Sequence, residues 1–384
     1  MNQNVKMDHQ PFPLSPIRMA KDGQPPINAV FAGGNGFPPE DSGGVQSSTH
    51  DLATRMVEEG HNPSVLAPLY GKGLFGLIAR TRLKISGKPF ARDMKSGYPV
   101  NRAWFPEETV SNLVDQTAPD VAIVQCHGTV PIAQAFRDRD VPLVIYLRNV
   151  EFNELGGDLS ALRHAEFIAN SEFTARTYQE AFGIAATVIP PTINREKYEG
   201  PTSGDFVTFV NPVAEKGVER AIEIAARCPD IPFLFVESWL LSPSDLKSLG
   251  EAIRPYPNIR FEHRTDDIRT IYGRTRIVLA PSKWAEAWGR IASEAHCSGI
   301  PVVGSTSGGL PEAIGPGGIA LDYTAPIDDW VAEVRRLWDD PHHYRLLSDA
   351  ARIYARRSEV NPELQFQTFM TVLRRAIDRH RRGI

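Results

Sequence analysis

A strand–helix–strand unit can be recognised in residues 276–305, RIVLAPSKWAEAWGRIASEAHCSGIPVVGS. The first part, RIVLAPS, is a short apolar run, and the last part, IPVVGS, is another. Between them, GRIASEAHCSG has the mixed polar and apolar character of a helix that lies on a sheet. Two apolar strands joined by a helix predict a βαβ unit, and such units build parallel sheets.

The same alternation extends over most of the chain and restarts once. INAVFAGG (27–34) and VAIVQCHG (121–128) predict strands of a first half that ends near residue 195. A stretch rich in proline, glycine and polar residues follows, and FVTFVNP (206–212) begins a second series. We therefore predict an α/β fold with two Rossmann-like domains. Open sheets of this kind bind ligands at the carboxyl ends of their strands, so the expected site is a cleft between the domains.

Length and composition limit the class of protein further. The 384 residues suffice for two domains, and the formal charge of -4 argues against general nucleic-acid binding. The three cysteines form no CxxC pair, so neither a zinc knuckle nor a disulfide framework is expected. Residues 1–26 are polar and rich in proline, which predicts a disordered N-terminal arm. Because no apolar run approaches the roughly 20 residues of a membrane span, we expect the protein in the cytoplasm.

Residues 70–98 are unusual because many cations stand among apolar side chains. The cations are Lys72, Arg80, Arg82, Lys84, Lys88, Arg92 and Lys95. One interpretation is an amphipathic element that lies on a membrane surface. The other, which the sequence favours, is a solvated helix or loop whose apolar side packs on the core, since charged surface segments of that kind are common.

Two glutamates, Glu286 and Glu294, are the first candidates for ligand binding. Trp288, Gly289 and Arg290 stand where the intervening helix begins, and the free N–H groups at a helix start favour an anion such as a phosphate. Glycine at that point allows a close approach. Glu294 lies deeper in the helix, at a spacing that could aim it toward the helix start. A carboxylate there is suited to accept hydrogen bonds from the two hydroxyls of a ribose.

This stretch resembles the glutamate-x7-glutamate motif of glycosyltransferase family four, a group of retaining enzymes with the GT-B fold. The following GIPVVGSTSGGLPE resembles the family's Gly-x-Pro-Val-Val and Gly-Gly-x-Pro-Glu pattern. The resemblance extends over residues 27–380. It implies that Glu294 binds the nucleotide ribose, that Glu286 lies beside the donor sugar, and that backbone amides around Gly289 and Arg290 hold the diphosphate.

The resemblance also implies how the chain is divided. Family members often end in a helix that crosses back onto the N-terminal domain, and PELQFQTFMTVLRRAIDRHRRGI has a suitable apolar side. We expect a disordered arm over 1–26, an N-terminal acceptor domain over 27–195, a C-terminal donor domain over 203–360 and the crossing-back helix over 361–384.

A second matching segment, FVNPVAEKG (209–217), names the expected cation. Family members show Gly-Arg, and five residues after the arginine a Lys-Gly, which here is Lys216-Gly217. Lys216 is therefore predicted to bind the diphosphate and to act in catalysis, with an ordinary surface lysine as the alternative. Asn211 occupies the arginine position, where it can donate a hydrogen bond but supplies no charge.

The first half contributes weaker candidates. FPPEDSGGVQSSTHDL resembles the family's Pro-Pro-x-x-x-Gly-Gly loop, so Gly43 and Gly44 would let a helix start approach the donor phosphates or the acceptor. His127 resembles a catalytic-cleft histidine that the family places near the donor sugar, and a structural histidine is the alternative. Where relatives often show His-Asp, this chain has Arg148 and Asn149, which are the candidates for the acceptor side.

Neither a metal nor another cofactor is expected. Asp138-Arg139-Asp140 spells the D-x-D of metal-dependent GT-A enzymes, but it lies between a helix end and the strand VPLVIYL. A nucleotide–metal motif would follow a strand, so a polar turn is the better interpretation. His342-His343 is interpreted as solvated surface rather than as a metal ligand pair.

The function implied is retaining, metal-independent transfer of a hexosyl group from a nucleotide-diphosphate sugar to a hydroxyl acceptor. The acceptor could be a glycan, a lipid-linked compound or a small molecule, as in polysaccharide biosynthesis, and residues 70–98 could contact the inner membrane. One alternative is a catalytically degenerate sugar-nucleotide-binding protein, suggested by Asn211 and by Arg148-Asn149. The other is a nucleotide-sugar epimerase of the GT-B fold, which would need additional carboxylates in the cleft.

Overall fold

The structure is a computed structural model that describes residues 19–265 and 267–383. In these residues the chain forms two separate sheets, one from each half, with helices between the strands. The predicted α/β fold with two Rossmann-like domains is confirmed. The last strand of the first sheet ends at Val188 and the first strand of the second begins at Phe206, so the segment expected to link the halves lies between the sheets.

The first sheet has the strand order β3-β4-β2-β1-β5-β6-β7-β8 in the described residues. Its strands are β1 (Asn28–Gly33), β2 (Asn62–Pro68), β3 (Ala91–Asp93), β4 (Val100–Ala103), β5 (Val121–Gln125), β6 (Leu143–Leu147), β7 (Glu166–Ala169) and β8 (Thr187–Val188). Its helices are α1 (Gly44–Glu58), α2 (Gly73–Ser86), α3 (Pro106–Thr117), α4 (Thr129–Arg137) and α5 (Glu172–Phe182). All neighbours are parallel except β3 and β4, an antiparallel edge that the sequence did not predict. Chain order reverses at β1, between β2 and β5, and the loops after β1 and β5 therefore border the natural crevice of this sheet.

The second sheet is parallel throughout, in the order β11-β10-β9-β12-β13-β14. Its strands are β9 (Phe206–Val210), β10 (Phe233–Val236), β11 (Ile259–Glu262), β12 (Thr275–Ala280), β13 (Val302–Ser305) and β14 (Gly318–Leu321). Its helices are α6 (Val218–Ala226), α7 (Pro243–Ile253), α8 (Arg269–Tyr272), α9 (Arg290–Cys297), α10 (Leu310–Ile314), α11 (Ile327–Asp339) and α12 (Pro341–Tyr354). The order reverses at β9, so the loops after β9 and β12 meet at the crevice.

The last helix, α13 (Pro362–Arg381), packs on the first half. Its apolar side chains join the core cluster that contains Phe31, Ile123 and Val144, and the rings of Phe31 and Phe369 stack with centroids 6.0 Å apart. The prediction of a helix that crosses back onto the N-terminal domain is thus confirmed.

Two expectations about surface segments need correction. Residues 19–26, which we assigned to a disordered arm, form a turn in which Lys21 N–H donates to the Glu59 carbonyl at 2.9 Å, and Asp22 pairs with Arg374 at 2.6 Å. The rest of that arm, 1–18, lies outside the described residues. In residues 70–98 the apolar side of α2 was expected on the core, but Leu74 and Ile85 are 75% and 82% exposed. Among the helices of the described chain, none is both long and apolar enough to traverse a bilayer.

Candidate active site

A lysine–glutamate pair lies at the carboxyl ends of β9 and β12. Lys216 precedes α6, Glu286 lies in the loop that leads to α9, and Lys216 Nζ is 2.5 Å from Glu286 Oε1. The Ser282 hydroxyl donates to the same Oε1 at 2.9 Å. The side chains of the pair are only 17% and 18% exposed. The structure therefore brings together two of the three residues predicted to be catalytic.

The two loops that carry this pair are fastened to each other by their main chains. The N–H groups of Lys283 and Trp284 both donate to the Glu215 carbonyl at 3.0 Å. Gly217 has a φ of 79°, and a Cβ at this position would lie 1.9 Å from the Pro281 carbonyl oxygen. Glycine after the lysine is therefore required by the close approach of the two loops, which fixes Lys216 beside Glu286.

Two tryptophans that were not among the predicted site residues flank the ammonium group. Lys216 Nζ lies 4.9 Å from the ring centroid of Trp239 and 5.8 Å from that of Trp284. A cation over an aromatic face is attracted by the ring quadrupole, so the rings help to hold the lysine in place. Trp239 lies shortly after the end of β10 and Trp284 shortly after the end of β12. These positions were the feature of the sequence that could have indicated a role at the site.

Asn211 shapes the loop after β10. Its φ is 62°, in the left-handed region that asparagine tolerates better than most residues. Its Oδ1 accepts hydrogen bonds from Ser238 N–H at 3.0 Å and Trp239 N–H at 2.6 Å. The oxygen of Asn211 therefore positions Trp239, a role that an arginine at this position would not reproduce.

The second glutamate of the motif, Glu294, is held by an arginine and a tyrosine. Arg290 Nε lies 3.3 Å from Glu294 Oε1, and the Tyr272 hydroxyl donates to Oε2 at 3.1 Å. Burial and the Glu294 carboxylate raise the pKa of Tyr272 well above its usual value, so Tyr272 stays a donor. Both side chains of the Arg290–Glu294 pair are 16% exposed.

Arg290 also connects the two halves of the molecule. Its Nη1 donates to the Ser48 hydroxyl of α1 at 3.0 Å and to the Thr192 carbonyl at 3.3 Å. Gly44, at the start of α1, leaves the room for this side chain, because a Cβ there would lie 3.1 Å from Arg290 Cδ. We expected the Arg290 main chain at the diphosphate. In the structure the Arg290 guanidinium instead contacts Glu294 and, in the first half, Ser48 and the Thr192 carbonyl.

The neighbours of Arg290 in the motif serve the packing of the second half. The Trp288 side chain is 4% exposed and donates to the Ser293 hydroxyl at 3.0 Å, so any ligand contact of Trp288 is limited to its main chain. Gly289 has a φ of 97°, and a Cβ there would lie 2.5 Å from Leu310 Cδ1. The N–H groups at the start of α9 keep the geometry that suits an anion.

The Gly-Gly-x-Pro-Glu segment supports Glu286 and crosses to the first half. Gly309 N–H donates to the Glu286 carbonyl at 2.6 Å, and the main chains of Glu286 and Gly308 form a β-bridge. The Glu312 carboxylate accepts from the N–H groups of Glu172 and Phe173 at 2.9 and 2.7 Å, at the start of α5. Glu312 is thus a carboxylate at the positive end of a helix, a role that its position in the Gly-Gly-x-Pro-Glu segment does not indicate.

Three further predicted site residues, His127, Gly43 and Gly44, belong to the first half. His127 is exposed after β5, where its carbonyl accepts from Gly34 N–H at 2.7 Å and its N–H donates to Asn35 Oδ1 at 3.2 Å. Gly43 and Gly44 begin α1 without a side-chain cap. The helix start is thus free of a capping side chain, as an anion site requires.

Arg148 does not form part of the expected acceptor surface. Arg148 is 5% exposed, its guanidinium carbon lies 3.7 Å from the Tyr146 ring centroid, and its Nε donates to Gln125 Oε1 at 2.7 Å. Burial lowers the pKa of Arg148. The Asn149 amide donates to Glu154 Oε2 at 2.9 Å. Arg148 is therefore part of the interior, which contradicts its assignment to an acceptor side.

A different carboxyl of the same loop, that of Glu151, has a shifted pKa. Burial raises the pKa of Glu151, the nearby Glu154 raises it further, and an interaction with Trp284 of the opposite half lowers it. The occurrence of Glu151 and Glu154 in the loop after β6 was the feature of the sequence that could have indicated it.

Asp138 and Asp140 lie in a turn at the end of the first half opposite the crevice. Asp138 ends α4, and Asp140 lies 3.3 Å from His380 Nε2 of α13. Both precede β6 and are remote from the carboxyl ends of the strands. The D-x-D sequence is a turn.

Comparison with known proteins identifies the family. The model of the family "Glycosyltransferase Family 4" matches residues 42–197, and that of "Glycosyl transferases group 1" matches residues 192–354. A D-inositol 3-phosphate glycosyltransferase of Corynebacterium kroppenstedtii is 33% identical over 122 residues, which are 31% of this chain and 27% of that protein. The chain thus spans well under half the length of the curated relatives it matches.

Solved structures of glycosyltransferases share the fold along nearly the whole chain. A glycosyltransferase from Rickettsia africae superimposes with a TM-score of 0.72 at 14% identity, covering 91% of this chain and 99% of its own. The Anabaena protein HepE in complex with UDP gives a TM-score of 0.71 at 20% identity, with coverage of 91% and 100%. Together, the two family models and the shared architecture show that the chain belongs to the group 1 glycosyltransferases of the GT-B fold.

Proposed function

We propose that the protein transfers a hexosyl group from a nucleotide-diphosphate sugar to a hydroxyl acceptor, with retention of configuration and without a metal. The observation that carries the proposal is the Lys216–Glu286 pair between the two tryptophans, at the crevice of the second sheet. An ammonium group at that point can meet the diphosphate, and a carboxylate beside it can accept hydrogen bonds from sugar hydroxyls.

The donor is proposed to be a nucleotide-diphosphate sugar for two reasons. The HepE structures of the same fold contain UDP, or UDP-glucose. In this chain, the start of α9 offers free N–H groups close to Glu294, whose two oxygens are shared between Arg290 and Tyr272. We propose that the ribose hydroxyls displace or join these partners at Glu294, while the amides around Gly289 hold the diphosphate.

The chemistry requires stabilisation of the leaving group more than a strong base. As the anomeric bond breaks, negative charge gathers on the departing diphosphate, and Lys216 with the helix amides is placed to stabilise it. The acceptor hydroxyl can then attack on the same face while the leaving phosphate takes its proton. His127, exposed on the first half, is the proposed contact to the donor sugar.

The acceptor is proposed to enter from the first half, beneath the start of α1. Gly36, Gln46, Thr49 and Gln125 line a small hollow of about 20 Å³ there, which marks the crevice beside the start of α1. A glycan or a lipid-linked compound with a free hydroxyl fits the chemistry, and the cytoplasm is the proposed location.

A ligand screen followed by product analysis tests this function. Thermal shifts with UDP-, GDP-, ADP- and dTDP-sugars should reveal one nucleotide that raises the melting temperature by mass action. The matching sugar nucleotide should then be consumed in the presence of a hydroxyl acceptor, and NMR of the anomeric proton should show retained configuration. Donor conversion to an isomeric sugar nucleotide without acceptor would indicate an epimerase, and stabilisation without turnover a binding protein. If no sugar nucleotide shifts the melting temperature, the proposal fails.

A further inference from the structure

Helix α2 presents its apolar side to solvent. It contacts the domain through a narrow stripe of Gly76, Ala79 and Leu83, which pack near Leu69. On the opposite side stand four large apolar side chains with high exposure, Leu74 (75%), Leu77 (56%), Ile78 (45%) and Ile85 (82%). At 3.6 residues per turn these four fall within about 100° of the helix circumference. A coherent stripe of this kind differs from the single exposed apolar residues that every protein surface carries.

Basic side chains flank the apolar stripe on both sides. By helical spacing, Arg82 lies along one border, and Arg80 and Lys84 along the other. Residues 70–98 contain seven lysines and arginines against the single carboxylate of Asp93, in a chain whose formal charge is -4. In the part of the chain that the structure describes, the ion pairs include neither Arg80, Arg82 nor Lys84. The positive charge of this surface is therefore not compensated locally.

Aromatic side chains extend the same surface at the end of β4. Trp104 is 39% exposed and Phe105 is 58% exposed. The Arg80 guanidinium carbon lies 5.6 Å from the Trp104 ring centroid, so the tryptophan borders α2 directly. We call Leu74, Leu77, Ile78, Ile85, Trp104 and Phe105 the α2 face. Tryptophan beside cations at the edge of an apolar stripe is the composition found at the boundary between lipid and water.

We propose that the α2 face binds the surface of a membrane that contains anionic phospholipid, with the helix parallel to the membrane plane. The apolar stripe would enter the headgroup and acyl boundary, and the flanking cations would meet lipid phosphates. A second copy of the chain is a poorer occupant. A twofold interface would set the same patch against itself and bring its uncompensated cations face to face.

The position of the α2 face gives the binding a consequence for the substrate. The Tyr70 hydroxyl, just before α2, accepts from Gly36 N–H at 2.9 Å, and Lys72 N–H donates to Glu40 Oε1 at 3.1 Å. Gly36 and Glu40 belong to the loop that leads into the start of α1, at the acceptor side of the cleft. A membrane on the α2 face would therefore lie next to that entrance. This step rests on the proposed function, and it assigns the acceptor to lipid-linked hydroxyl compounds held in the bilayer.

Flotation with vesicles tests the binding without any sugar substrate. The wild-type protein should float with vesicles of phosphatidylglycerol and phosphatidylcholine, weakly or not at all with phosphatidylcholine alone, and less at high salt. The double variant Arg82→Gln/Lys84→Gln should lower the partition coefficient by roughly thirtyfold, since each basic residue near an anionic surface contributes substantially. Leu74→Asp/Ile85→Asp should abolish flotation. Both changes are on exposed positions, and circular dichroism with the melting temperature verifies the fold.

The matched control is Ile353→Asp on α12. Ile353 is 75% exposed, like Leu74, but its neighbours Arg352 and Arg356 are paired with Asp349 and Glu199. This variant should float like the wild type. Three results would overturn the proposal: no flotation of the wild type with anionic vesicles, an equal loss in the control, or a dimer in sedimentation that the α2 variants dissociate. Nucleotide binding by thermal shift is measured separately, so a failure of the proposed function remains distinguishable from a failure of membrane binding.

Discussion

The two ion pairs of the glutamate-x7-glutamate motif have the same chemistry and nearly the same exposure, but different surroundings. Glu286 and Lys216 both belong to the second half, and the lysine is flanked by the rings of Trp239 and Trp284. Glu294 and Arg290 lie eight and four residues further along than Glu286, and Arg290 reaches Ser48 of the first half. The first pair is a feature of one crevice, and the second connects the two domains.

This difference indicates which pair can respond to a ligand without a change in the relation of the halves. A lysine ammonium has three donors and a freely turning stem, so Lys216 can keep Glu286 while it meets a phosphate. The planar guanidinium of Arg290 is fixed by contacts to Glu294, Ser48 and Thr192. A ligand that binds Glu294 therefore competes with Arg290, the residue that also connects the second half to Ser48 of the first half.

The largest effect is expected from Lys216→Ala. Removal of one preorganised charge that faces the leaving group costs about 10²–10³ in kcat in comparable sites, and the donor KM should change much less, because the charge is greatest in the transition state. Steady-state kinetics with the identified donor measure both constants. Lys283→Ala is the matched control, since Lys283 is an exposed lysine of the facing loop. Normal turnover by folded Lys216→Ala would remove this pair from the mechanism.

A smaller effect on binding is expected from Glu294→Gln. An amide accepts less strongly than a carboxylate, and a hydrogen bond to a charged group is worth about 1.5–3 kcal/mol, so the Kd for the free nucleotide diphosphate should rise roughly tenfold or more. Tyr272→Phe removes the other partner of Glu294 and keeps the carboxylate. If both variants lower the melting temperature but neither changes the Kd in calorimetry, Glu294 serves only the link between the domains.

The sequence predicted the fold because alternation of strands and helices is local information. The resemblance to the family's motifs also predicted Glu286 and Lys216, which lie in the loops after two neighbouring strands of the second sheet. It could not reveal that Arg290 reaches Ser48, which is 242 residues away, nor that Arg148 is buried beside Gln125. Such contacts depend on how two finished domains meet and on which side of a strand end a long side chain turns.

Helix α2 illustrates the same limit. Its periodicity shows that one side is apolar, but periodicity does not tell whether another element covers that side. The small residues Gly76 and Ala79 make the actual contact with the domain, and the large ones remain exposed. The sequence already shows small residues on the side of α2 opposite the large ones, and this pattern could have indicated that the large residues are exposed.

A change in stability, rather than in chemistry, is expected from Asn211→Arg. The arginine that the family shows at this position suggests the idea that Asn211→Arg would raise the rate. The left-handed backbone and the two hydrogen bonds to Ser238 and Trp239 argue otherwise. A left-handed position costs an ordinary residue about 1–2 kcal/mol, and with the lost hydrogen bonds the melting temperature should fall by roughly 5–10 °C. Asn211→Gly keeps the backbone and loses the oxygen, so its smaller decrease separates the two causes. An unchanged melting temperature with a higher rate would restore the original idea.

The smallest effect, none on the rate, is expected from removal of divalent cations. In a metal-dependent transferase the cation neutralises the diphosphate, and its carboxylate ligands must stand at the same crevice. Here the two carboxylates of the motif are each engaged by a cation of the protein, Lys216 or Arg290. Asp138 and Asp140 lie at the far end of β6. Turnover should therefore be equal in EDTA and in Mg²⁺ or Mn²⁺, and Lys216→Ala should not be rescued by either ion. Loss of turnover in EDTA that Mn²⁺ restores would mean that Glu286 exchanges Lys216 for a metal when the donor binds, and the first ion pair would then be a resting state rather than the catalytic arrangement.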